Sequence, residues 1–533
     1  MSMQFLRDLH ILVLGLGDSG LAMARWCVAH GGHVTVWDSR AQPPRAAALQ
    51  AEMPAVQVIT GELPVDSLTG VQLVLKSPGL APGDPRIAPL LQEARATAIA
   101  VLGELDLFAR ALQDLRAQRD YAPRVLAITG TNGKTTTTAM TALLVARTGR
   151  RVATAGNIGP TLLDTLAAAL AAEDDDHPLP EVWVLELSSF QLEGGGFGLN
   201  PSSGFEPDAA TVLNISQDHL DWHGSLPAYA AAKGRIFGVA PSGTVPRTLM
   251  VANRDDAAVM ALVAAAQPQA PAGKVKLKDR VPERPVLHFG LDAPRAAGDF
   301  GLVVENGMAW LVRAAPADET VKRRKDEEVE IHLQRLMPAD ALRVRGRHNA
   351  ANALAALALA SAIGCALAPM LHALRDYAGE PHRVQWVGTV AEVEAFDDSK
   401  GTNVGATVAA LLGLGADKAP ARLAVILGGD GKGQDFAALA APLQQHARAV
   451  ATLGRDAAAI EAAIVPFLAE VPLQRHATLE AAVAWCFEQA RPGDAVLLSP
   501  ACASLDMFRN YAHRAEVFVQ AVQALAADQG QAA

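Results

Sequence analysis

The chain has few of the residues that build covalent or metal cross-links, and it has no surplus of positive charge. Its 533 residues include four cysteines, which are too widely scattered for a disulfide framework or a zinc site: Cys27, Cys365, Cys486 and Cys502. The net charge is −10, without the clusters of Lys and Arg that neutralise phosphate backbones. We therefore expect a reducing cytoplasm, small acidic metabolites as ligands, and no nucleic acid.

Long apolar runs are also scarce. Met1 to Leu9 carries two charges and no apolar core, so no secretory signal is expected. Residues 353–368 approach the length of a short membrane span, but alanine dominates them. We predict a buried helix there that stops at Pro369, because proline cannot continue a helix. The chain is thus expected not to insert into a membrane, and we take it to be a cytoplasmic monomer.

The length and the alternation of segments predict three α/β domains. We place them at residues 1–122, 123–379 and 380–533. The first is expected to be a Rossmann-like domain with a parallel sheet, the central one to resemble a P-loop ATPase, and the third to be a Rossmann-like α/β domain. Third-domain strands are predicted at 390–396, 423–427, 449–453 and 495–498. In the central domain, residues 173–180, 194–207 and 316–330 are predicted to be solvated loops.

The stretch from Val125 to Thr136 reads as a buried strand that runs into a phosphate-binding loop. Gly130 and Gly133 let backbone N–H groups face phosphate oxygens, Lys134 can reach the β- and γ-phosphates, and the Thr135 hydroxyl can hold Mg²⁺. Loops rich in Gly, Thr and Asn are often simple turns with no ligand. Here the apolar strand before the loop and the helical run after it favour an ATP-binding loop. The predicted nucleotide-binding loop is Gly130, Thr131, Asn132, Gly133, Lys134, Thr135 and Thr136.

A second glycine pattern, Gly15-x-Gly17-x-x-Gly20, follows the first predicted strand, and Asp38 follows the second. This arrangement is typical of dinucleotide sites, with the diphosphate on a helix N-terminus and the acid on a ribose. Alone it is a weak signal, because it also suits other nucleotide diphosphates or a simple tight turn. The separate ATP loop favours a second nucleotidyl ligand over NAD.

Polar residues follow two further predicted strands. Glu186 ends one of them, where ligands of open α/β sheets collect, and its carboxylate could join Thr135 on Mg²⁺. His219 follows another strand and could serve a second metal, although a lone histidine is as often a surface residue. Lys233 lies on a short predicted helix, where a lysine is ordinarily solvated. From these positions alone, Glu186, His219 and Lys233 could each have a structural role without binding a ligand.

Taken together and in this order, these motifs resemble those of the Mur ligase family of ATP-dependent amide-bond ligases. The central motifs are 130–136, 156–159, 186–191, 218–221 and Lys233. The third-domain motifs 381–383, 398–403, 428–432 and 498–506 are similar to those of the D-glutamate-adding branch. The resemblance implies addition of D-glutamate to UDP-N-acetylmuramoyl-L-alanine during peptidoglycan synthesis, with Mg·ATP forming an acyl phosphate.

The resemblance also implies roles for individual residues. Lys134, His219 and Lys233 would be catalytic, and Thr135, Glu186, His219 and a carbamylated Lys233 would hold two Mg²⁺ ions. Asn352, Arg383 and Asp398 would contact ATP. The UDP substrate would lie against Asp18, Ser19, Asp38, Ser39, Ser77, Gly79 and Asn157. D-glutamate would lie against Thr402, Lys432, Ser504, Leu505 and Tyr511.

Other interpretations stay open at this point. The chain could be another Mur ligase or a folylpolyglutamate-type ligase with a different amino-acid specificity. It could be a regulator that binds ATP as a switch without catalysis, or a nicotinamide oxidoreductase. The chain is also longer than compact family members, mainly in the central loops, and Tyr511 adds a hydroxyl to an aromatic position.

Overall fold

The computed structural model describes residues 4–529, except 65, 158, 195–203, 239–246, 269–282, 318–329, 345 and 469. The predicted loops at 194–207 and 316–330 therefore lie largely outside the described residues. The loop at 173–180 is solvated, as predicted. No helix in the described part of the chain is long and apolar enough to span a bilayer.

The N-terminal domain is a five-stranded parallel sheet with the order β3-β2-β1-β4-β5. Its strands are β1 His10–Leu14, β2 His33–Asp38, β3 Gln57–Thr60, β4 Leu73–Lys76 and β5 Ala100–Leu102. Its helices are α1 Asp18–Ala29, α2 Ala46–Glu52, α3 Ala88–Ala96 and α4 Glu104–Arg119. The central strand β1 is almost wholly buried, as expected for a parallel sheet covered on both faces.

The central domain has a six-stranded parallel sheet with the order β11-β10-β9-β6-β8-β7. Its strands are β6 Arg124–Thr129, β7 Val152–Gly156, β8 Val182–Glu186, β9 Ala209–Val212, β10 Leu249–Asn253 and β11 Val286–Phe289. Its helices are α5 Lys134–Arg147, α6 Leu162–Ala171, α7 Ser189–Leu192, α8 Leu220–His223, α9 Leu226–Gly234, α10 Ala257–Ala266, α11 Arg347–Ala362 and α12 Leu367–Asp376.

An antiparallel three-stranded sheet is inserted before α11, and the sequence did not predict it. It consists of β12 Phe300–Glu305, β13 Met308–Pro316 and β14 Ile331–Pro338, in that order. Buried Phe300, Leu302, Leu311 and Met337 join the core around α11. This part of the central domain is therefore ordered sheet rather than loop.

The predicted helix over 353–368 is wrong at its C-terminal end. Helix α11 ends at Ala362, and Gly364 then adopts a left-handed φ of +80°. Pro369 lies in the first turn of α12, where its missing N–H would have no helical partner in any case. The proline therefore helps to start the second helix instead of stopping the first. The first helix is buried over most of its length, as predicted.

The C-terminal domain is a six-stranded mixed sheet with the order β15-β16-β20-β17-β18-β19. Its strands are β15 Gln385–Val390, β16 Val393–Asp397, β17 Leu423–Gly428, β18 Ala447–Leu453, β19 Leu473–Arg475 and β20 Ala495–Leu498. Its helices are α13 Val404–Lys418, α14 Ala440–His446, α15 Ala457–Ile464, α16 Leu479–Gln489 and α17 Tyr511–Asp528.

The single strand predicted at 390–396 is also wrong. Ala391 and Glu392 have positive φ angles of 48° and 64°, and they form a two-residue turn between antiparallel β15 and β16. Such turns usually contain glycine or asparagine, so the sequence carried no turn signal here. The other three predicted third-domain strands are confirmed as β17, β18 and β20.

Candidate functional site

A cavity of about 520 Å³ lies between the N-terminal and central domains, at the carboxyl ends of their parallel strands. Such edges are where open α/β sheets bind ligands. All seven residues predicted to contact the UDP substrate line it: Asp18, Ser19, Asp38, Ser39, Ser77, Gly79 and Asn157. The cavity also includes Arg40 and Arg86, which the sequence analysis did not single out.

The glycine pattern positions the floor of this cavity. A Cβ atom on Gly20 would lie 1.9 Å from the carbonyl oxygen of Gly15, so only glycine lets α1 approach β1 so closely. Ser77 Oγ donates to the same carbonyl oxygen at 3.0 Å, which ties the loop after β4 to the loop after β1. The pattern therefore serves backbone packing as well as an open helix N-terminus.

The carboxylate of Asp38 is fixed by hydrogen bonds from neighbouring protein groups. It accepts hydrogen bonds from the Leu16 N–H at 2.8 Å and from the Arg40 guanidinium at 2.7 Å. Burial raises the pKa of Asp38, but the bonds from Arg40 and Leu16 outweigh it and lower the pKa to about 2. The carboxylate thus orders the rim of the cavity, and Arg40 is the exposed group that can meet a ligand.

The phosphate loop lies between β6 and α5, as predicted. Asn214, which follows β9, braces the loop because its Oδ1 accepts from the Asn132 N–H at 2.8 Å and its Nδ2 donates to the Asn132 carbonyl at 3.1 Å. Lys134 Nζ donates to the carbonyl oxygens of Gly130 and Thr131, each at 2.9 Å. Burial lowers the pKa of Lys134. Its ammonium therefore stays inside the loop that phosphate would occupy.

Lys233 is not solvated, contrary to the ordinary expectation for a lysine on a short helix. It is only 1% exposed, and its Nζ donates to the Gly130 carbonyl oxygen at 2.9 Å. Two lysine amines thus converge on one backbone oxygen. Burial, and then the neighbouring charge of Lys134, lower the pKa of Lys233 well below its usual value. This environment favours a neutral amine.

Only one of the two carboxylate oxygens of Glu186 accepts a hydrogen bond. Oε1 accepts from Asn157 Nδ2 at 3.0 Å, whereas Oε2 is buried and has no hydrogen-bond partner. A buried carboxylate oxygen without a donor is costly unless a cation meets it. Because Asn157 also lines the 520 Å³ cavity, this hydrogen bond connects the cavity wall to Glu186, whose strand β8 pairs with β6, the strand that leads into the phosphate loop. The two predicted nucleotide sites therefore lie on the same edge of the central sheet.

His219 lies on the same edge of the sheet, inside an aromatic cluster. Its ring contacts Phe190 at a centroid distance of 4.7 Å and Tyr229 at 6.4 Å, and its backbone is left-handed with φ 52°. Burial lowers the pKa of His219, although Asp218 opposes the shift. A neutral imidazole is the form that binds metal. Tyr229 lies between His219 and Lys233, since Lys233 Nζ is 4.6 Å from the centre of the Tyr229 ring.

The C-terminal domain closes over the phosphate loop. Arg383 Nη2 donates to Thr135 Oγ1 at 2.7 Å, and the side-chain amides of Asn132 and Asn403 bond to each other at 3.1 and 3.3 Å. A small cavity of about 70 Å³ lies beside them, and it is lined by Gly133, Asn352, Arg383 and Asp398 among others. The structure thus brings all the predicted ATP contacts of both domains together.

The residues predicted to receive the amino acid lie on neighbouring loops of the C-terminal domain. Backbone hydrogen bonds of 2.8 and 2.9 Å between Asp430 and Ala503 join the loop that carries Lys432 to the loop that carries Ser504. Ser504 is buried, whereas Leu505 is 72% exposed. Tyr511 begins α17, and Lys400 Nζ lies 5.4 Å from its ring centre. Thr402 lies two residues beyond Lys400 and is half-buried.

Residues that act between elements were not predicted from the sequence. Asn214 and Asn403 brace the phosphate loop, but Asn403 stood in the 398–403 motif without a role and Asn214 was not singled out. Lys76 is fully buried below the 520 Å³ cavity, where its Nζ donates to the Leu80 carbonyl at 2.8 Å. Burial lowers the pKa of Lys76 to about 8. Only its position directly before Ser77 could have drawn attention to it.

The polar groups at this edge of the sheet include oxygen atoms of the kind that Mg²⁺ prefers. Among the residues that the structure describes, no three His, Cys, Asp or Glu side chains are grouped to hold a metal. Oxygen ligands from Thr135 and the unpartnered Glu186 Oε2 would instead complete a shell supplied by nucleotide and water, which suits Mg²⁺.

Three family models match the chain in succession. They are the Mur ligase MurD-like N-terminal domain over residues 9–103, the Mur ligase middle domain over 128–280, and the Mur ligase glutamate ligase domain over 382–502. The matched stretches correspond to the three parts of the fold described above.

Relatives and solved structures agree with these matches. The chain is 57% identical to the UDP-N-acetylmuramoylalanine–D-glutamate ligase of Albidiferax ferrireducens, over 99% of both chains. It is 55% identical to the protein of the same name from Burkholderia ambifaria, over 98% of both. Its fold is similar to MurF from Thermotoga maritima in complex with ADP, with a TM-score of 0.55, 15% identity and coverage of 97% and 96%.

Proposed function

The chain belongs to the Mur ligase family and couples ATP to the addition of D-glutamate to UDP-N-acetylmuramoyl-L-alanine, and we propose that it does so through an acyl phosphate formed where the two nucleotide sites meet. The observation that supports this mechanism is the hydrogen bond between Asn157, which lines the substrate cavity, and Glu186, which lies on the same sheet edge as the phosphate loop. A substrate carboxylate beside Asn157 would then lie on the side of the ATP phosphates.

In this proposal Lys134 and the backbone of the phosphate loop neutralise the β- and γ-phosphates. Thr135 and Glu186 would hold one Mg²⁺ ion, and Glu186 Oε2 is buried without a hydrogen-bond partner, as a metal ligand would be before the ion binds. The ion would supply neutralisation of phosphate charge. Arg383 reaches the same place from the C-terminal domain. The protein's contribution is therefore positioning and electrostatics, which is what phosphoryl transfer requires.

A second Mg²⁺ ion would lie between His219 and Lys233. An ammonium at Lys233 would repel it, but a neutral amine can react with CO₂ to give a carbamate with two oxygen ligands. Burial favours that neutral amine. We therefore assign Lys233 as a carbamylated metal ligand and His219 as its partner.

The remaining assignments follow the resemblance of the motifs, and those for UDP and ATP concern residues that line the two cavities. Asp18, Ser19, Ser39, Ser77 and Gly79 would contact the UDP moiety, with Asp38 ordering the rim. Asn352 and Asp398 would contact the nucleoside of ATP. Thr402, Lys432, Ser504, Leu505 and Tyr511 would receive D-glutamate, with the ammonium of Lys432 meeting a carboxylate. We retain 122/123 and 379/380 as domain boundaries, and a cytoplasmic monomer as the working form.

Hydroxylamine tests the acyl phosphate directly, because it is a small nucleophile that converts such an anhydride into a hydroxamate. With ATP, Mg²⁺ and UDP-N-acetylmuramoyl-L-alanine but no D-glutamate, we expect hydroxamate and ADP to form together. Omission of the UDP substrate should abolish both. ADP release without any hydroxamate at high hydroxylamine would contradict the mechanism.

Domain movement gives a second prediction. A cavity of about 70 Å³ is far below the roughly 300–1,000 Å³ of ordinary ligand pockets, so the C-terminal domain must withdraw to admit ATP. We expect the ligand-free enzyme in solution to have a larger radius of gyration than this structure. An ATP analogue with the UDP substrate should reduce it, as measured by small-angle scattering.

A wedge variant provides the control for this prediction. A Cβ on Gly405 at the start of α13 would lie 2.9 Å from Ser216 Oγ and 3.1 Å from Asn132 Nδ2 of the central domain. Gly405→Val should therefore keep the radius of gyration large even with ligands. Identical scattering from ligand-free enzyme, liganded enzyme and this variant would refute the closure.

A further inference from the structure

One pair of side chains near the phosphate loop has no role in the mechanism above. His382 Nδ1 lies 2.7 Å from Asp397 Oδ2. Asp397 ends β16 and is fully buried, and its other oxygen accepts from the Ser399 N–H at 2.9 Å. With the carboxylate as acceptor, Nδ1 is the donor, and in the neutral imidazole the lone pair is then on Nε2. In the described part of the chain, Nε2 has no hydrogen-bond partner.

The backbone at His382 is held in a costly conformation. Its φ is +63°, which side chains other than glycine rarely adopt. The His382 N–H donates to Gln385 Oε1 at 3.0 Å, and its carbonyl accepts from the Lys400 N–H at 3.2 Å. Strain that is fixed by several contacts often marks a functional position. The ring's place is therefore closely determined.

That place lies between the ATP site and the proposed amino-acid site. The next residue, Arg383, touches Thr135 in the phosphate loop. On its other side the His382 ring meets the Tyr511 ring, edge to face, at a centroid distance of 6.0 Å. The imidazole is partly exposed, with 29% of its side chain accessible. The amine of a substrate amino acid bound beside Tyr511 could thus approach the His382 imidazole while it attacks a carboxyl group activated at the phosphate loop.

The reaction needs a proton acceptor at this point. The amine of a free amino acid is mostly protonated near neutral pH, and an ammonium has no lone pair for attack. We propose that His382 is the general base that deprotonates D-glutamate, with Asp397 stabilising the imidazolium. One ammonium proton passes to Nε2, and the free amine forms a C–N bond at the acyl carbon while the C–O bond to phosphate breaks. The second proton lost from the nitrogen leaves with the phosphate, as hydrogen phosphate. This inference rests on the acyl phosphate proposed above.

The groups around the ring suit this assignment. Asp397 is the anionic partner of the imidazole, whereas Lys400, Arg383 and the Tyr511 hydroxyl bring positive charge or a polar group to the side that the substrate would occupy. Asp398 lies behind them, where Ser499 Oγ donates to it at 2.6 Å and burial raises its pKa to about 7. Lys400 can hold a carboxylate of the amino acid while its amine faces Nε2, and Arg383 stays with the phosphates.

A comparison of D-glutamate with hydroxylamine as the attacking nucleophile distinguishes a general base from a positioning residue. His382→Asn keeps an N–H donor for Asp397 but removes Nε2. We expect kcat/KM for D-glutamate to fall by about two to four orders of magnitude. Hydroxamate formation from hydroxylamine should stay at the wild-type rate, because hydroxylamine is largely unprotonated at neutral pH and needs no base. Tyr511→Phe, which keeps the ring beside His382, should retain the pH profile of the wild type.

The possible results separate the proposals. Equal losses with D-glutamate and hydroxylamine would overturn the base assignment and leave His382 as a positioning residue for Arg383. Full D-glutamate activity in His382→Asn would also overturn it. If wild-type enzyme yields no hydroxamate at all, the acyl phosphate fails first. A thermal melt of each variant verifies that the fold is retained, and Asp397→Asn should repeat the selective loss because an amide can favour the wrong tautomer.

Discussion

Replacing Lys134 with alanine should lower kcat by about two to three orders of magnitude, since loss of one preorganised charge donor in an active site typically costs about 2.7–4 kcal/mol. The amine of Lys134 already lies within the phosphate loop, bonded to the Gly130 and Thr131 carbonyls. Its removal leaves the γ-phosphate without its nearest cation during transfer. Steady-state phosphate release at saturating ATP measures the effect.

The control for Lys134→Ala is a lysine far from the crevice. Lys418 ends α13 and pairs with Glu394, so Lys418→Ala should leave turnover unchanged. Binding of the UDP substrate to Lys134→Ala should also remain, because the cavity for that substrate is built from other residues. Near-normal turnover by Lys134→Ala would disprove the role of the loop in phosphoryl transfer from ATP.

Replacing Lys233 with methionine should reduce turnover by about two to three orders of magnitude as well. Methionine keeps much of the buried volume but cannot form a carbamate, so the second Mg²⁺ would lose an anionic ligand. Native mass spectrometry should find the wild-type chain heavier than its sequence by one CO₂. The variant should lack this added mass.

Removal of CO₂ tests the same site without a mutation. Prolonged dialysis against CO₂-free buffer should inactivate the wild-type enzyme, and bicarbonate should restore it. Enzyme that stays fully active with an unmodified Lys233 would contradict the carbamate. In that case the buried amine would act as a neutral hydrogen-bond donor to the Gly130 carbonyl.

The sequence was most informative where function depends on one strand and the loop that follows it. The phosphate loop was predictable because an apolar strand, two glycines and a helical run are contiguous between Val125 and Ala146. The edge position of Glu186 followed from the same reasoning, because parallel strands end at one side of a sheet. Local pattern and site geometry coincide in these elements.

Features that depend on contacts between distant segments were not predictable. Lys233 lies on a helix of small residues whose pattern says nothing about which surface covers it, and only the fold shows it against Gly130. The Asp397–His382 pair spans a hairpin whose turn has no turn-forming residues. The antiparallel sheet over 300–338 was missed because the charged stretch beside it dominates the local composition.

The unequal sizes of the two cavities have a consequence for the order in which ligands load. The pocket near Asn352 is nearly shut by the docked C-terminal domain, whereas the cavity near Ser77 is roomy in the same arrangement. We therefore expect ATP to bind before docking, and the nucleotide sugar to exchange in the docked arrangement as well. An inhibitor shaped for the larger cavity would then compete with the nucleotide sugar at an enzyme that has already bound ATP.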